Sequence, residues 1–344
     1  MTTLPNLRPI SEIPPKARVI LRMDMDEPMA DGIVTDVDRL KKSIPTIVQL
    51  LEKQCVVLLL GHVGRPNGKE SKFSLRPIYD ALLPLIRASV TTPVTDIFVE
   101  DVTDEAGILQ ASQTHNCICF ENVRFWEGEE KNDPQFLLSV VKNADWYVND
   151  ALAVSHRRHR SMMLHHELPT AYGLAFINEV QKLMVVVDNP ARPITIILGG
   201  AKKDKLTYIS GLEVIADHIL IGGKLPHLLP VDIQITDKFC VAALRDDGFD
   251  LNPNDIDVFC AVIKQSKTIV WAGAMGFFEK PEYRKGTEAI ARAVVASGAY
   301  TVLAGGDTEA SVSNLGEEEK INVVASGGGM MLELLTKKTL PAWE

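Results

Sequence analysis

Ile194-Thr195-Ile196-Ile197-Leu198-Gly199-Gly200-Ala201-Lys202-Lys203-Asp204-Lys205 is the stretch whose reading decides the fold. Its first five residues are a short, β-branched apolar run, which reads as a buried strand. Two glycines follow, then lysines at the mouth of a helix-like segment over residues 204–216. Glycines after a strand let the backbone approach a ligand closely, and a helix N-terminus offers free N–H groups to an anion. No Gly-x4-Gly-Lys-Ser/Thr is present, so this is not the Walker pattern. Two readings stay open for the stretch alone: a phosphate-binding strand–loop–helix, or a tight βα turn with solvated lysines.

Toward the C-terminus the same rhythm repeats. Strand-like runs at 218–221, 268–271, 300–304 and 322–325 end in Gly222-Gly223, Gly273, Gly305-Gly306 and Gly327-Gly328-Gly329. Helical segments intervene at 255–266 and 285–297. This predicts a parallel α/β domain with glycine loops along one rim. In Ala304-Gly305-Gly306-Asp307-Thr308 a carboxylate and a hydroxyl stand at a helix start. They suit Mg²⁺ and phosphate, or a plain N-cap.

Toward the N-terminus the strand ends carry charge instead. Runs at 18–23, 55–60, 117–121 and 145–149 lead into Asp24-Met25-Asp26, Gly61-His62-Val63-Gly64-Arg65, Asn122-Val123-Arg124, and Asp150 followed by His156-Arg157. Helices are expected at 36–54, with Pro45 forcing a kink or break, and at 74–88; a long helix at 171–188 would separate the halves. Of 15 arginines 11 lie in residues 1–170, as do 6 of 8 histidines, whereas 17 of 23 glycines lie later. The first part thus supplies anion-binding side chains and the second supplies loops. Strand ends of a doubly wound sheet converge on one crevice, which suits a small anion.

Composition narrows the partners. The 344 residues suffice for two α/β domains. A net charge of −9 argues against nucleic acid or an anionic membrane as partner. No apolar run approaches the roughly 20 residues of a membrane helix, and Met1-Thr2-Thr3-Leu4-Pro5-Asn6 has no signal-peptide pattern. Five cysteines (Cys55, Cys117, Cys119, Cys240, Cys260) give neither a disulfide framework nor a Cys-x2-Cys zinc pair, so reduced thiols in a cytoplasmic protein are expected.

Taken in order, these motifs resemble the phosphoglycerate kinase family over essentially the whole chain. The matching runs are Arg22-Met23-Asp24 with Asp31-Gly32 and Arg39, Gly61-His62-Val63-Gly64-Arg65-Pro66, Glu121-Asn122-Val123-Arg124-Phe125 with Gly128-Glu129-Glu130, and Tyr147-Val148-Asn149-Asp150-Ala151 with His156-Arg157. They continue with Leu198-Gly199-Gly200-Ala201-Lys202, Trp271-Ala272-Gly273 with Met275-Gly276-Phe277-Phe278-Glu279, Gly305-Gly306-Asp307-Thr308, and Ser326-Gly327-Gly328-Gly329. The resemblance implies two Rossmann-like domains: residues 1–170 for 3-phosphoglycerate and 190–325 for nucleotide, joined by a helix at 171–189, with a tail at 326–344 returning to the first. It implies reversible phosphoryl transfer between 1,3-bisphosphoglycerate with Mg-ADP and 3-phosphoglycerate with Mg-ATP, a step of glycolysis and gluconeogenesis; nothing in the sequence demands a partner chain, so a monomer is expected.

Carried over by motif, Asp24, Asp26, Arg39, His62, Arg65, Arg124 and Arg157 would bind 3-phosphoglycerate, and Arg39 and Lys202 would be catalytic. Gly200, Lys205, Gly222, Glu279, Gly305, Gly306, Asp307, Thr308, Gly327 and Gly328 would bind ATP or ADP, with Glu279 on the ribose and Asp307 on Mg²⁺. Several positions depart from the family pattern. Asp26 stands for its Asn, where a carboxylate faces an anion. Lys202 and Lys205 are one residue closer than its two lysines, Ala272 and Ala274 replace Asn and Pro, Lys224 replaces a third glycine, and Asn252 replaces a glycine. A helix-sized piece is missing between Lys224 and Leu229-Pro230-Val231-Asp232. A second reading therefore stands beside the first: a phosphoglycerate-kinase-like protein with weak activity or altered nucleotide or acceptor preference.

Overall fold

The computed structural model describes residues 6–230 and 236–344. They divide into two compact units, one from the chain up to Asn178 together with Pro341–Glu344, the other from Glu179–Leu340. In chain order the first unit holds β1 (Arg18–Met23), the short strands β2 (Met29–Ala30) and β3 (Ile33–Val34), α1 (Asp38–Glu52), β4 (Val56–Leu60), α2 (Arg76–Ser89), β5 (Asp96–Val99), α3 (Glu105–Thr114), β6 (Cys117–Phe120), α4 (Glu127–Glu130), α5 (Leu138–Val141), β7 (Trp146–Asp150) and β8 (Thr170–Tyr172). Six of these strands form a parallel sheet in the order β5-β6-β4-β1-β7-β8.

The continuous apolar runs follow from burial on both faces, since successive strand residues point to opposite sides. Val19, Leu21, Val57, Leu59, Cys117 and Cys119 pack with Leu50 of α1 and Ile78, Leu82 and Ile86 of α2. Ile20, Leu58, Leu60, Ile118 and Phe120 pack on the other side with Ile108 and Ala111 of α3. At α1 the buried Glu27 caps the helix, accepting from Leu40 N at 2.8 Å. Pro45 does not break α1, which runs unbroken to Glu52.

The long helix begins later than the periodicity suggests. Thr170–Tyr172 pairs with β7 as an edge strand, Gly173 N donates to Asn149 O at 2.9 Å, and α6 is Leu174–Asp188. The division between the units falls within α6, after Asn178. The four last residues belong to the first unit. There Tyr172 Oη donates to Ala342 O at 3.3 Å, Trp343 meets Phe176 edge-on at 5.8 Å, and Arg158 pairs with Glu344.

The second unit holds β9 (Ile194–Leu198), α7 (Ile209–Ile215), β10 (His218–Ile221), β11 (Phe239–Val241), α8 (Pro253–Gln265), β12 (Thr268–Ala272), α9 (Lys285–Ala296), β13 (Tyr300–Ala304), α10 (Gly306–Ser313), β14 (Val323–Ala325) and α11 (Gly328–Lys337). Its parallel sheet has the order β11-β10-β9-β12-β13-β14, which reverses between β9 and β12. Such a reversal opens a crevice beyond the strands' C-terminal ends. On one face Ile197, Leu220, Trp271 and Leu303 pack with Phe259 and Ile263 of α8 and Ile290 and Val294 of α9. Full burial of a side chain this apolar contributes roughly 1.5–3 kcal/mol.

A further sequence expectation is corrected here. The segment after Gly199-Gly200 is not an α-helix from residue 204: Lys203–Tyr208 is a 3-10 helix and α7 starts only at Ile209. Between β10 and β11 the helical element among the described residues is one 3-10 turn, Leu225–Leu228. Val231 and Asp232, named in the expected deletion, lie outside the described residues. Cysteines 55, 117 and 119 are buried, and all five are free thiols.

Candidate functional site

Four central strands of the first sheet, β6, β4, β1 and β7, are neighbours, so their C-terminal loops emerge side by side. Asn122, fully buried after β6, ties two of these loops together. Its Nδ2 donates to Val63 O (2.8 Å) and Phe73 O (2.9 Å), while its Oδ1 accepts from Arg124 N (3.1 Å). Arg124 Nη1 then donates to Gly64 O at 2.8 Å. Gly64 sits at φ +63°, where a Cβ would lie 2.4 Å from the Phe73 ring. Only glycine allows this turn.

The β1 loop locks onto the β4 loop through Asp26, whose Oδ1 accepts from Gly64 N at 2.8 Å. The carboxylate that the sequence places facing an anion thus has one oxygen turned to the backbone. Asp24 Oδ1 accepts from Asp26 N at 3.1 Å, and its Oδ2 accepts from Arg39 Nη1 at 3.1 Å. Burial works against the Arg39 charge, but Asp24 and Asp26 outweigh it and raise its pKa.

Cations crowd this loop cluster. His62 is 2% exposed, and its pKa lies well below the ordinary value, through burial first and then the charges of Arg22 and Arg124. His159 is lowered to about 4 by burial, then Arg124 and Arg22. Arg124 itself is lowered, by burial and then by Arg22, and its buried Nε has no hydrogen-bond partner. Like charges that depress one another in a half-buried place define a site an anion would relieve. Arg65 and Arg157 are exposed; Arg157 adds to the field at His159.

In the second unit the crevice between β9 and β12 is made of peptide groups. Gly199 N donates to Ala272 O (3.0 Å), Gly200 N to Ala274 O (2.7 Å) and Lys224 N to Gly200 O (2.9 Å). Gly200, Gly223, Gly273 and Gly305 all have positive φ. A Cβ on Gly199 would stand 2.3 Å from Ala274 O. Lys205 folds back into the crevice, its Nζ donating to Gly199 O at 2.8 Å and Ala272 O at 2.9 Å. Burial lowers this ammonium to about 8.

Other expected residues divide between lining and framing. Thr308 is buried, and its Oγ1 accepts from Gly273 N at 3.0 Å. Gly222 is buried against Met275, whose sulfur would lie 2.8 Å from a Cβ at that position. Gly305 and Gly306 are exposed at the start of α10, and a Cβ on Gly306 would meet open space. Gly327 caps α11 without a side-chain bond, and Gly328 begins that helix. Lys202 and Glu279 are exposed. The Asp307 carboxyl is raised by partial burial and then by Glu279, a repulsion a cation would relieve, so a Mg²⁺ ion fits this carboxylate. Among the described residues no cluster of three His, Cys, Asp or Glu could hold a metal without a ligand's help.

Sequence reasoning missed Arg22, Glu129, His159 and Ser161 as working parts. Arg22 and Glu129 fall within quoted motifs, yet their roles depend on contacts across 139 and 32 residues of chain. The signal available was an arginine inside a buried strand, since an arginine is almost never fully buried unpaired.

Known proteins share both the sequence and the fold. The family model described as phosphoglycerate kinase matches residues 14–229 and 226–338. The phosphoglycerate kinase of Finegoldia magna is 34% identical over 376 residues, covering 94% of each chain. That of Acaryochloris marina is 33% identical, again over 94% of each. The solved phosphoglycerate kinase of Coxiella burnetii superposes with a TM-score of 0.77 at 26% identity, covering 98% of both chains. The Pyrococcus horikoshii structure shares the fold at a TM-score of 0.80 and 23% identity, covering 98% of this chain and 97% of that one.

Proposed function

Because the chain belongs to the phosphoglycerate kinase family, we propose that it transfers a phosphoryl group reversibly between ATP and the carboxylate of 3-phosphoglycerate, yielding ADP and 1,3-bisphosphoglycerate. The observation that carries this reading is the crowding of Arg22, Arg124, His62 and His159 at the loop ends of the first sheet, where burial and then the neighbouring cations lower the proton affinities of Arg124, His62 and His159. It suits a small, highly charged anion.

The chemistry fits that inventory. An acceptor carboxylate oxygen forms a bond to the γ-phosphorus, and the bond to the ADP bridging oxygen breaks. The nucleophile is already anionic, so no general base is required; positioning and charge neutralisation do the rest. Asp24, Asp26, Arg39, His62, Arg65, Arg124 and Arg157 hold the acceptor in this reading, with Asp24 and Asp26 orienting Arg39 and the Gly64 turn. Arginines give bidentate contacts to phosphate or carboxylate that lysine cannot copy. Arg39 and Lys202 are the proposed catalytic cations.

On the nucleotide side we assign Gly200, Lys205, Glu279, Gly305, Gly306, Asp307, Gly327 and Gly328 to contact, and Gly222 and Thr308 to shaping the loops. Asp307 would hold Mg²⁺, whose charge, when bound, neutralises the nucleotide phosphates. Among the described residues no helix is long and apolar enough to cross a membrane, and the five thiols are free. In this reading the protein works in the cytoplasm, where thiols stay reduced, and as a monomer.

A coupled assay of the purified protein with 3-phosphoglycerate and a panel of Mg-nucleotides tests the reading, with acceptor binding followed by calorimetry. Turnover with Mg-ATP is expected. Acceptor binding without turnover would select the second reading, a family member with weak or altered nucleotide use, which the Lys205 bonds to Gly199 O and Ala272 O favour. Neither binding nor turnover would overturn both.

A further inference from the structure

Behind the loop cluster a buried chain of hydrogen bonds leads from a carboxylate to an imidazole. Glu129, Ser161 and Arg22 are 0%, 0% and 1% exposed. Glu129 Oε2 accepts from Ser161 N at 2.9 Å and its Oε1 accepts from Ser161 Oγ at 2.6 Å. The single hydroxyl proton of Ser161 is thereby committed, leaving its lone pairs to accept from Arg22 Nε at 2.9 Å. Arg22 Nη1 donates to Met23 O at 2.5 Å, and Nη2 lies 2.9 Å from His62 Nδ1.

A guanidinium has donors only. His62 Nδ1 must therefore be the acceptor in the last of these contacts. An imidazole that accepts through Nδ1 and is not charged carries its proton on Nε2. The charged form would set a second N–H against the Arg22 donor, in a buried place also facing Arg124, His159 and Arg39. Geometry and charge thus select one neutral tautomer.

We propose that Arg22 is a positioning residue that fixes His62 as the neutral Nε2–H tautomer, and that Glu129 and Ser161 hold Arg22 in place to do so. His62 then offers the acceptor an uncharged N–H donor of set direction. The cationic charge of the site comes from the arginines alone, so acceptor binding is insulated from protonation of this histidine. The consequence for ligand binding rests on the acceptor-site reading above; the tautomer itself does not.

Nitrogen NMR of protein labelled with ¹⁵N-histidine tests this, with the His62 signals assigned by their loss in His62→Gln. The wild type should show an unprotonated Nδ1 and a protonated Nε2, unchanged between about pH 5.5 and 8.5. In Arg22→Met the tautomers should mix and titration should move up into that window, with acceptor KM about tenfold higher and kcat changed less. Ser161→Ala should shift the same signals to a smaller degree, and Arg22→Lys should restore part of the preference. An Nδ1–H tautomer in the wild type overturns the proposal, as does an unchanged His62 spectrum in a folded Arg22→Met protein. If Arg22→Met does not fold, Ser161→Ala decides in its place: unchanged His62 signals there overturn the proposal. If the tautomer is as expected but 3-phosphoglycerate leaves the His62 signals unmoved, the proposal stands and the acceptor-site reading falls.

Discussion

At its strand ends the first unit carries Arg124, His62 and Asp24, with Arg39 reaching Asp24 from the first turn of α1; the second carries Gly199, Gly200, Gly273 and Gly305. One site is written in side chains, the other in peptide groups. This difference sets what each tolerates. A side-chain site changes residue by residue, and every change alters charge or reach. A peptide site ignores the side chains beside it, provided no Cβ intrudes. Gly200 N donates to the carbonyl of Ala274, a bond that any residue there could accept. The substitutions in the second unit, Ala272 and Ala274 among them, leave that backbone ladder in place. The single Asp26 in the first unit redirects a carboxylate onto Gly64 N.

The largest loss is expected at Lys202, a side chain on the backbone-built side. Lys202→Ala is expected to lower kcat and kcat/KM together by about 100-fold or more, as for a group acting in the transition state. Steady-state kinetics with near wild-type kcat would remove it from the mechanism. Next comes Gly199→Ala, whose Cβ would stand 2.3 Å from Ala274 O and 2.5 Å from Gly273 O. It should destabilise the second unit by about 1–3 kcal/mol, read as a lower denaturant midpoint. An unchanged midpoint would show that the crevice is looser than its distances.

Arg124→Lys tests the first unit. A lysine cannot both hold Gly64 O and present a fork, so acceptor KM should rise about tenfold, or about 1.4 kcal/mol, with nucleotide KM less affected. Equal effects on both substrates would argue for a structural role.

The two units should also differ in how pH acts on stability. His62 and His159 have folded pKa values below their ordinary 6.5, well below for His62 and about 4 for His159. As pH falls below 6.5 the unfolded chain takes up protons that the folded chain refuses, so stability falls over that acid window. Lys205, lowered from 10.5 to about 8, acts in the alkaline window. There the unfolded chain keeps a proton that the folded chain has lost, so its contribution rises as pH rises from about 8 toward 10.5. Denaturant midpoints across pH check both: Lys205→Met should flatten only the alkaline limb, and added phosphate should relieve only the acid one.

The smallest effect is expected at Asp26. Asp26→Asn keeps an oxygen for Gly64 N and removes one negative charge, so acceptor KM should fall several-fold with a smaller change in nucleotide KM. At an effective dielectric of 20, a charge pair about 4 Å apart is worth about 4 kcal/mol, and at the water value about 1. A partly solvated Asp26 belongs near the lower figure. A raised acceptor KM would show that the carboxylate's hold on the Gly64 turn matters more than its charge.

The sheets were legible because a strand buried on both faces leaves an unmistakable run, as at Arg18–Met23 and Ile194–Leu198. Strands β5, β8 and β11 were not, because each is an edge strand of three or four residues, too short to leave such a run, and β5 and β11 are only half-buried. The helix expected from residue 171 gives its first residues to β8, because Ala171 and Tyr172 pair with β7 and Gly173 N donates to Asn149 O, contacts with residues far away in the chain. Loop positions of Asp24, His62 and Arg124 were readable from their place after strands. The Glu129–Ser161–Arg22 chain was not, since nothing local in sequence tells a buried arginine which distant hydroxyl will receive it. Lys205 was readable as a phosphate-facing cation, but its retreat onto two carbonyls depends on the 3-10 turn at Lys203–Tyr208.

The return of Pro341–Glu344 to the first unit has a consequence for how the protein is made. On the ribosome, residues up to Asn178 emerge long before Trp343, which packs on Phe176, and Ala342, which accepts from Tyr172. The early half must therefore wait, one edge unsealed, while the entire second unit is synthesised. Emergence of Pro341–Glu344, rather than appearance of the second sheet, is the event that closes the first.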